Sequence, residues 1–202
     1  MLIRLYEQNL NLKEIDRIIG ILKEGGIIIY PTDTVYAMGC DALNVRAVEK
    51  ICKIKGINPQ KNHLSIICPD LSNISEYAKV NNAVFKLMKR NLPGPFTFIL
   101  NATNSLPKIY KNRKEVGIRV PDNNITITLT KELGNPLLTT SVRDKDEWRE
   151  YSVDPELIEG DYGDTVDVII DGGYGGFEPS TVINCTTDEI EIVRQGKGEL
   201  LE

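Results

Sequence analysis

Apolar positions along the chain follow two spacings, one typical of helices and one typical of buried strands. From Leu12 to Leu22 they recur every three or four residues, which predicts a helix that starts with the capping-box sequence at 11–14. Gly25 and Gly26 are expected to end that helix. Residues 26–30 are then apolar without interruption up to a proline, which predicts a buried strand.

The same two patterns predict alternating helices and strands over the rest of the chain. Further helices are expected at about 44–55, 84–88 and 129–134. Further strands are expected at 64–68, 96–100, 116–120, 137–140, 166–170, 181–184 and 191–193. No repeat, low-complexity tract or long linker interrupts this order, so we predict a single α/β domain around a mixed sheet.

Composition narrows the class of protein. The 202 residues suffice for a full core, and a hydrophobic fraction of 41% is typical of a globular protein. The aliphatic runs are too short to span a bilayer, and the first residues lack the pattern of a signal peptide, so we expect no membrane association. The four cysteines are scattered without a Cys-x-x-Cys pair, which favours reduced, mostly buried thiols in a cytoplasmic protein.

The histidine content limits the possible chemistry. His63 is the only histidine, and no acidic or thiol cluster has the spacing of metal ligands. His63 also has no obvious serine or cysteine partner in the sequence. We therefore expect neither a protein-bound metal nor a hydrolytic triad.

Charge is distributed unevenly although the net charge is −5. Residues 50–61 and 108–114 are rich in lysine and arginine, whereas acidic residues concentrate at 144–171. A local basic face would suit an anionic ligand such as a nucleotide. The simpler alternative is that these lysines only solvate helix faces.

Polar side chains cluster where the predicted strands end, which is where ligands bind in open α/β folds. Residues 31–36, Pro-Thr-Asp-Thr-Val-Tyr, follow the strand at 26–30 directly. The other clusters are Lys53 with Lys55, Arg119, residues 139–141, and Ser180 and Thr181 with Arg194. Hydroxyls and fixed cations without a nucleophile–base pair suit the binding of phosphates and a carboxylate, with catalysis by positioning and charge. An ordinary polar turn is the alternative interpretation of 31–36.

A glycine-rich stretch at 172–176 lacks the pattern of a phosphate-binding loop. No Gly-x-x-x-x-Gly-Lys sequence is present, and no helix is predicted directly after this stretch. It is interpreted as a tight connection that only weakly favours anion binding.

Five short motifs occur in an order that resembles a known family. They lie at residues 31–36, 93–97, 117–121, 179–183 and 194–196. Together they resemble the YrdC/YciO family, whose best known members are threonylcarbamoyl-AMP synthases, over about residues 10–198. The resemblance implies one domain over 1–202 with a YrdC/RibB-like fold, in which a twisted, mostly parallel mixed α/β sheet surrounds a basic concave cleft.

The resemblance also implies a reaction and its partners. Family synthases join L-threonine, bicarbonate and ATP into threonylcarbamoyl-AMP and release pyrophosphate, with Mg²⁺ accompanying ATP. Partner tRNA-modification proteins then transfer the threonylcarbamoyl group to an adenosine beside the tRNA anticodon. Contact with RNA or tRNA through the basic cleft is a further expectation.

Site residues follow from the resemblance position by position. Arg119 would pair with the threonine carboxylate, since a planar two-pronged donor fits it well. A structural salt bridge is the simpler alternative for Arg119. The residues expected to bind L-threonine are Thr32, Thr34, Tyr36, Arg119, Thr139 and Ser180. The residues expected to bind ATP are Lys55, Ser141, Arg143 and Arg194.

Four departures from the synthase pattern resemble the YciO branch of the family. Ile57 replaces an arginine, Arg143 an asparagine, Ala37 a glycine and His63 a proline. Loss of one charge-stabilising donor typically costs about 3 kcal/mol of transition-state stabilisation. We expect Arg143 to compensate for Ile57 from the opposite wall of the cleft.

Three functions are compatible with this sequence. The first is a threonylcarbamoyl-AMP synthase, whose reaction Ile57 would slow. The second is a YciO-type protein that binds nucleotide or double-stranded RNA with weak or no synthase activity. The third is a related ligase or ATP-hydrolysing enzyme that acts on another amino acid or carboxylate.

Overall fold

Helices and strands alternate along the chain in the order that the apolar spacing predicts. The structure is a computed structural model that describes residues 1–111, 114–142, 153–187 and 189–201. The helices in these ranges are α1 (Leu12–Lys23), α2 (Val45–Ile54), α3 (Ile74–Tyr77), α4 (Asn82–Asn91), α5 (Lys108–Lys111), α6 (Asn124–Leu133) and α7 (Pro155–Tyr162). The strands are β1 (Leu2–Arg4), β2 (Ile28–Tyr30), β3 (Ala37–Asp41), β4 (Ser65–Ile67), β5 (Ala78–Lys79), β6 (Phe96–Ala102), β7 (Glu115–Arg119), β8 (Leu137–Ser141), β9 (Val168–Asp171), β10 (Thr181–Asn184) and β11 (Glu191–Arg194).

Asparagine side chains cap the N-termini of four helices. The capping residues are Asn11, Asn44, Asn81 and Asn123, and each side chain accepts a hydrogen bond from a backbone N–H of the first turn. Such a cap satisfies one of the N–H groups that the helix itself leaves unpaired. At the other end of α6, Gly134 adopts a left-handed conformation (φ 76°) that glycine tolerates without strain.

All strands belong to one mixed sheet with the order β1-β9-β2-β3-β8-β4-β7-β6-β10-β11, and β5 pairs with β6. The expected α/β domain and mixed sheet are therefore confirmed. The expectation of mostly parallel pairing is wrong. Parallel pairing occurs between β1 and β9, β2 and β9, β4 and β7, and β6 and β10, whereas the other six strand pairs are antiparallel.

A short connection explains the antiparallel pairing of β2 and β3. The segment between β2 and β3 contains only residues 31–36. A parallel crossover needs about a dozen residues or more, so this segment can only join antiparallel neighbours. The turn that carries the polar motif is therefore also the turn that reverses the chain direction in the sheet.

Both faces of the central strands are buried. Ile27 and Ile29 belong to one apolar cluster, and Ile28 and Tyr30 belong to the other. Helices α2 and α4 cover the first face, and α1 and α6 cover part of the second. Full burial of one such aliphatic side chain stabilises the fold by about 2 kcal/mol. On the second face, residues of β4, β6, β7, β8 and β10 line a cavity instead.

Two further features bear on the class of protein. All four cysteines are buried, as the sequence predicts. Among the helices that the structure describes, none combines the length and apolar character needed to cross a membrane.

Candidate functional site

The cavity has a volume of about 590 Å³ and its floor is the sheet itself. Thr139 pairs in register with Gly39 and Ser65, and Ser65 pairs in register with Gly117. Residues in register across neighbouring strands lie on the same face of a sheet. Hydroxyl side chains and glycines therefore form one row across β3, β8, β4 and β7. The volume falls in the range typical of small-molecule sites.

Gly117 leaves room for the hydroxyl groups of this floor. A Cβ atom at Gly117 would lie 2.3 Å from Ser65 Oγ and 3.0 Å from Thr97 Cγ2. Thr97 Oγ1 in turn lies 2.8 Å from Ser180 Oγ. Because residue 117 has no side chain, the hydroxyls of three different strands or strand entries can come together over it.

Arg119 forms a buried ion pair at one end of the cavity. Its Nη2 donates to Asp33 Oδ1 at 3.0 Å and to Thr34 Oγ1 at 3.1 Å. The two ion-paired side chains are only 8% and 7% exposed. The buried Nε of Arg119 donates to no residue in the described part of the chain. The guanidinium is therefore held rigidly while retaining hydrogen-bonding capacity.

Burial governs the electrostatics of this pair. Burial raises the pKa of the Asp33 carboxyl, while the charge of Arg119 and the backbone N–H of Asp122 act in the opposite direction. Burial likewise lowers the pKa of Arg119, and the charge of Asp33 opposes that shift. Since an arginine starts from a very high pKa, Arg119 stays positively charged, and its charge favours the ionised form of Asp33.

Hydrogen bonds of the Thr32 and Tyr36 side chains stabilise the turn at residues 31–36. Thr32 Oγ1 donates to Val35 O at 2.7 Å and accepts from the N–H of Thr34 at 3.1 Å. The Tyr36 hydroxyl donates to Gly173 O at 2.7 Å, and burial raises its pKa to about 12. Neither side chain lines the cavity, whereas Thr34 does.

The glycine-rich stretch packs against this turn and does not offer its amides to an anion. Gly172 N–H donates to the Tyr36 hydroxyl, and Gly176 N–H donates to Thr34 O. Gly175 N–H donates to Val153 O. A Cβ atom at Gly176 would lie 2.3 Å from Thr34 O, so only glycine permits this close approach. The interpretation as a tight connection is confirmed, and the weak expectation of anion binding at these amides is wrong.

The segment from Arg194 to Lys197 completes the wall beside Ser180. Arg194 Nη2 donates to Ser180 O at 2.8 Å, and Arg194 lines the cavity. Lys197 Nζ donates to Asp33 O at 2.6 Å. Thr181, in contrast, donates to Gly198 O and does not face the cavity. This segment thus connects Ser180 with the turn at residues 31–36.

Lys55 and Ser141 lie at another wall. Lys55 Nζ donates to Val142 O at 3.0 Å, and both Lys55 and Ser141 line the cavity. Lys53, which the sequence grouped with Lys55, is exposed on α2 and is not part of the lining. Arg143 lies outside the described residues.

Three of the four residues that depart from the synthase pattern also face the cavity. Ala37, Ile57 and His63 all contribute to its lining. Among the described lining residues there is no aspartate or glutamate. The described lining therefore supplies no carboxylate ligand for Mg²⁺, so a magnesium ion beside these residues would be held by the phosphates of a nucleotide and by water.

Seven of the residues predicted for the site line this one cavity. They are Thr34, Lys55, Arg119, Thr139, Ser141, Ser180 and Arg194. The sequence did not assign Ser65, Thr97 or Asp33 to the site. Asp33 and Thr97 belong to two of the recognised motifs, which is a signal that could have indicated them. Ser65 has no comparable signal, because only its register with Thr139 and Gly117 brings it to the floor.

Comparisons with known proteins agree with this architecture. The YciO protein of Escherichia coli is 42% identical over 189 residues, which cover 92% of this chain and 90% of that protein. Its crystal structure superimposes with a TM-score of 0.91, covering 98% of this chain and 97% of that one. Sua5 of P. abyssi, crystallised with L-threonine, gives a TM-score of 0.88 at 27% identity and covers 97% of this chain and 57% of that one.

Relatives with an assigned activity are more distant. A threonylcarbamoyl-AMP synthase of Bacillus subtilis is 30% identical over 194 residues, which cover 94% of this chain and 55% of that protein. The family model for Sua5, YciO and YrdC, described as "Telomere recombination", matches residues 20–196. The chain belongs to the Sua5/YciO/YrdC family.

Proposed function

We propose that the protein is a threonylcarbamoyl-AMP synthase. It would join L-threonine, bicarbonate and ATP, release pyrophosphate, and supply threonylcarbamoyl-AMP to proteins that modify tRNA. The observation that carries this proposal is the convergence of Arg119, Lys55 and Arg194 with a floor of hydroxyls on one cavity. The L-threonine bound to the related P. abyssi Sua5 adds support.

The amino acid binds at the Arg119 end of the cavity in this proposal. Arg119 is fixed through Nη2 by Asp33 and Thr34, so its remaining donors are preorganised for a second carboxylate. A charge-assisted, two-pronged contact with an α-carboxylate is the interaction for which arginine is best suited. Ser180 and Thr139 offer hydroxyls to the amino and hydroxyl groups of threonine.

The nucleotide binds beside Lys55, Ser141 and Arg194. The two cations and the hydroxyl suit phosphate oxygens, and Arg143 is proposed as a fourth contact. A magnesium ion bound with ATP would neutralise part of the phosphate charge. The protein itself supplies orientation and positive potential in a partly enclosed site, where such charges act more strongly than in water.

The reaction has two substitution steps, and both suit a site that works by positioning the reactants. The threonine amine attacks the carbon of bicarbonate and water leaves, which gives a carbamate. A carbamate oxygen then attacks the α-phosphorus of ATP, and the bond to pyrophosphate breaks. Aligning three small reactants can contribute about 7 to 11 kcal/mol, so positioning without an assigned acid or base is sufficient in principle.

Pyrophosphate release with and without L-threonine tests the proposal. The assay contains ATP, Mg²⁺ and bicarbonate, and mass spectrometry identifies threonylcarbamoyl-AMP. We expect threonine-dependent product that falls at least tenfold in Lys55→Ala, whereas the matched control Lys53→Ala retains wild-type activity because Lys53 does not line the cavity. Absence of threonine-dependent product from the folded wild-type protein would refute the synthase function.

Ile57 favours a second candidate, a YciO-type protein that binds nucleotide or double-stranded RNA with little or no synthesis. Ile57 lines the cavity where the synthases have an arginine, which removes one phosphate-binding cation. Nucleotide binding without product would support this candidate. RNA binding through a basic surface would weaken steeply with salt, which distinguishes it from binding of a small ligand.

A further inference from the structure

His63 and Glu115 form an ion pair at the edge of the cavity. His63 Nδ1 lies 3.0 Å from Glu115 Oε2, and the two side chains are 31% and 26% exposed. The imidazole lines the same cavity as Lys55 and Ile57. A carboxylate at this distance favours a ring orientation in which Nδ1 faces Glu115 and the second nitrogen faces elsewhere.

Strand pairing builds this contact into the sheet. Ser65 of β4 pairs in parallel register with Gly117 of β7, and Gly117 N–H donates to Leu64 O at 3.0 Å. Two residues earlier on each chain are His63 and Glu115. Because side chains alternate along a strand, Glu115 lies on the same face of β7 as Arg119, and His63, just before β4, lies beside it and lines the cavity.

The same geometry separates His63 from the proposed amino-acid end. Glu115 and Arg119 are four residues apart on β7, which corresponds to about 13 Å along a strand. His63, which contacts Glu115, therefore lies toward the end of β7 opposite to Arg119. His63 follows Lys55 by only eight residues in the chain, and both line the cavity, whose nucleotide end the proposed function places beside Lys55.

We propose that His63, oriented by Glu115, binds the β- or γ-phosphate of the nucleotide. This assignment rests on the proposed function and concerns the same cavity. A doubly protonated imidazole donates from both nitrogens, so one donor can face Glu115 and the other a phosphate oxygen. Two negative groups on either side stabilise the positive ring. His63 thus supplies a charged contact in the same cavity as Ile57, whose apolar side chain cannot supply one.

Calorimetric titration with four separate ligands tests this assignment. The ligands are MgATP, inorganic pyrophosphate, AMP and L-threonine. We expect His63→Gln to weaken MgATP and pyrophosphate binding about tenfold, which corresponds to one charge-assisted hydrogen bond. Binding of AMP and L-threonine should stay unchanged. His63→Lys should restore most of the affinity for MgATP because it restores a positive charge.

Glu115 is a positioning residue in this scheme, and its variant should show the same selectivity. We expect Glu115→Gln to weaken MgATP binding about threefold without a change for L-threonine, since the amide still holds the ring but adds no charge. Lys53→Gln is the matched control, because it removes an exposed positive charge outside the lining and should bind all four ligands normally.

Each alternative outcome has a distinct meaning. Equal MgATP affinity in wild type and His63→Gln would overturn the assignment and leave the proposed function intact. Equal weakening of all four ligands would also overturn it, since that pattern indicates a structural role. If wild type itself binds neither MgATP nor L-threonine, the proposed function fails together with the assignment.

Discussion

The ion pair between Asp33 and Arg119 joins two polar motifs that are 86 residues apart in the sequence. A buried ion pair contributes little net stability, because desolvation offsets most of the attraction between its charges. Its value here is geometric, since Asp33 and Thr34 both fix Nη2 of Arg119. The sequence alone allowed either a ligand-binding arginine or a structural one, and the geometry makes Arg119 a structural partner that also faces the cavity.

Removal of Arg119 should destabilise the protein strongly. Arg119→Met leaves the Asp33 carboxylate buried without its partner, which typically costs about 3 to 5 kcal/mol. Urea unfolding of wild type and variant at pH 7.5 measures this loss. Asp33→Asn combined with Arg119→Met should recover part of it, because the double variant buries no charge.

The stability lost in Arg119→Met should also depend on pH, and the direction of this dependence can be stated. Burial raises the pKa of Asp33 in the folded protein, and loss of Arg119 raises it further. A carboxyl with a raised folded pKa stabilises the protein while it is protonated, and this contribution is lost as pH rises through that value. Arg119→Met should therefore be closer to wild type at pH 5 than at pH 7.5. A gap that widens at pH 5 would contradict a charged, buried Asp33.

At the level of single elements, asparagine caps set several helix boundaries. Helix α4 begins at Asn82, and the Asn81 side chain accepts from Val84 N–H at 2.8 Å. Its first turn contains no acidic residue. The cap is therefore the main polar interaction at this N-terminus among those that the structure describes.

Substitution of this cap should change the free energy of unfolding modestly, and a carboxylate should replace the amide. Asn81→Ala should lower the free energy of unfolding by about 1 kcal/mol, because the amide hydrogen bond is lost. Asn81→Asp should retain wild-type stability or exceed it slightly, since a carboxylate also interacts favourably with the helix dipole. Chemical denaturation measures both. If Asn81→Ala had the same free energy of unfolding as wild type, tertiary packing alone would determine where α4 begins.

Sequence patterns predict the elements that carry a clear periodicity or cap. Helices α1 and α2 and strand β2 lie where the spacing of apolar residues places them. Strand β3 was missed because all five of its residues are buried, so no alternation of polar and apolar residues marks it. Helix α7 was missed although Asp154 caps it and Pro155 occupies its first turn, two signals present in the sequence.

Site prediction has a different limit. Sequence motifs identified residues that carry charges or hydroxyls beside strand ends, such as Arg119 and Ser180. They could not identify Ser65 or the pairing of His63 with Glu115, because both follow from the register of β4 against β7. Sequence distance contains no information about register between strands that are 50 residues apart.

At the scale of the whole molecule, one continuous sheet connects every region. Strands from the beginning, middle and end of the sequence are interleaved in its order, and β9 lies between β1 and β2. No part of the described sheet can separate without exposing buried strand edges. We therefore expect unfolding to be cooperative over the whole chain.

Chemical denaturation followed by two probes checks this expectation. Far-ultraviolet circular dichroism reports the loss of helices and strands, and near-ultraviolet circular dichroism reports the loss of side-chain packing. The two transitions should coincide. Two separated transitions would mean that the interleaved sheet contains independently stable parts.

Charge is also organised at this scale. The protein carries a net charge of −5, yet the described lining of the cavity contains cations and no carboxylate. Such a separation concentrates positive potential inside the site although the protein as a whole is acidic. We therefore expect a small anion to be attracted to the cavity.

The position of β9 between β1 and β2 also affects the protein during its synthesis. Ile27 N–H donates to a carboxylate oxygen of Asp167, which is 140 residues later in the chain. At a translation rate of about 5 to 20 residues per second, β2 waits roughly 7 to 28 seconds for this neighbour. An apolar strand edge is exposed to chaperones and to aggregation throughout that time. Ser180 and Arg194 emerge later still, so substrates cannot stabilise the nascent chain before nearly all of the described sheet has left the ribosome.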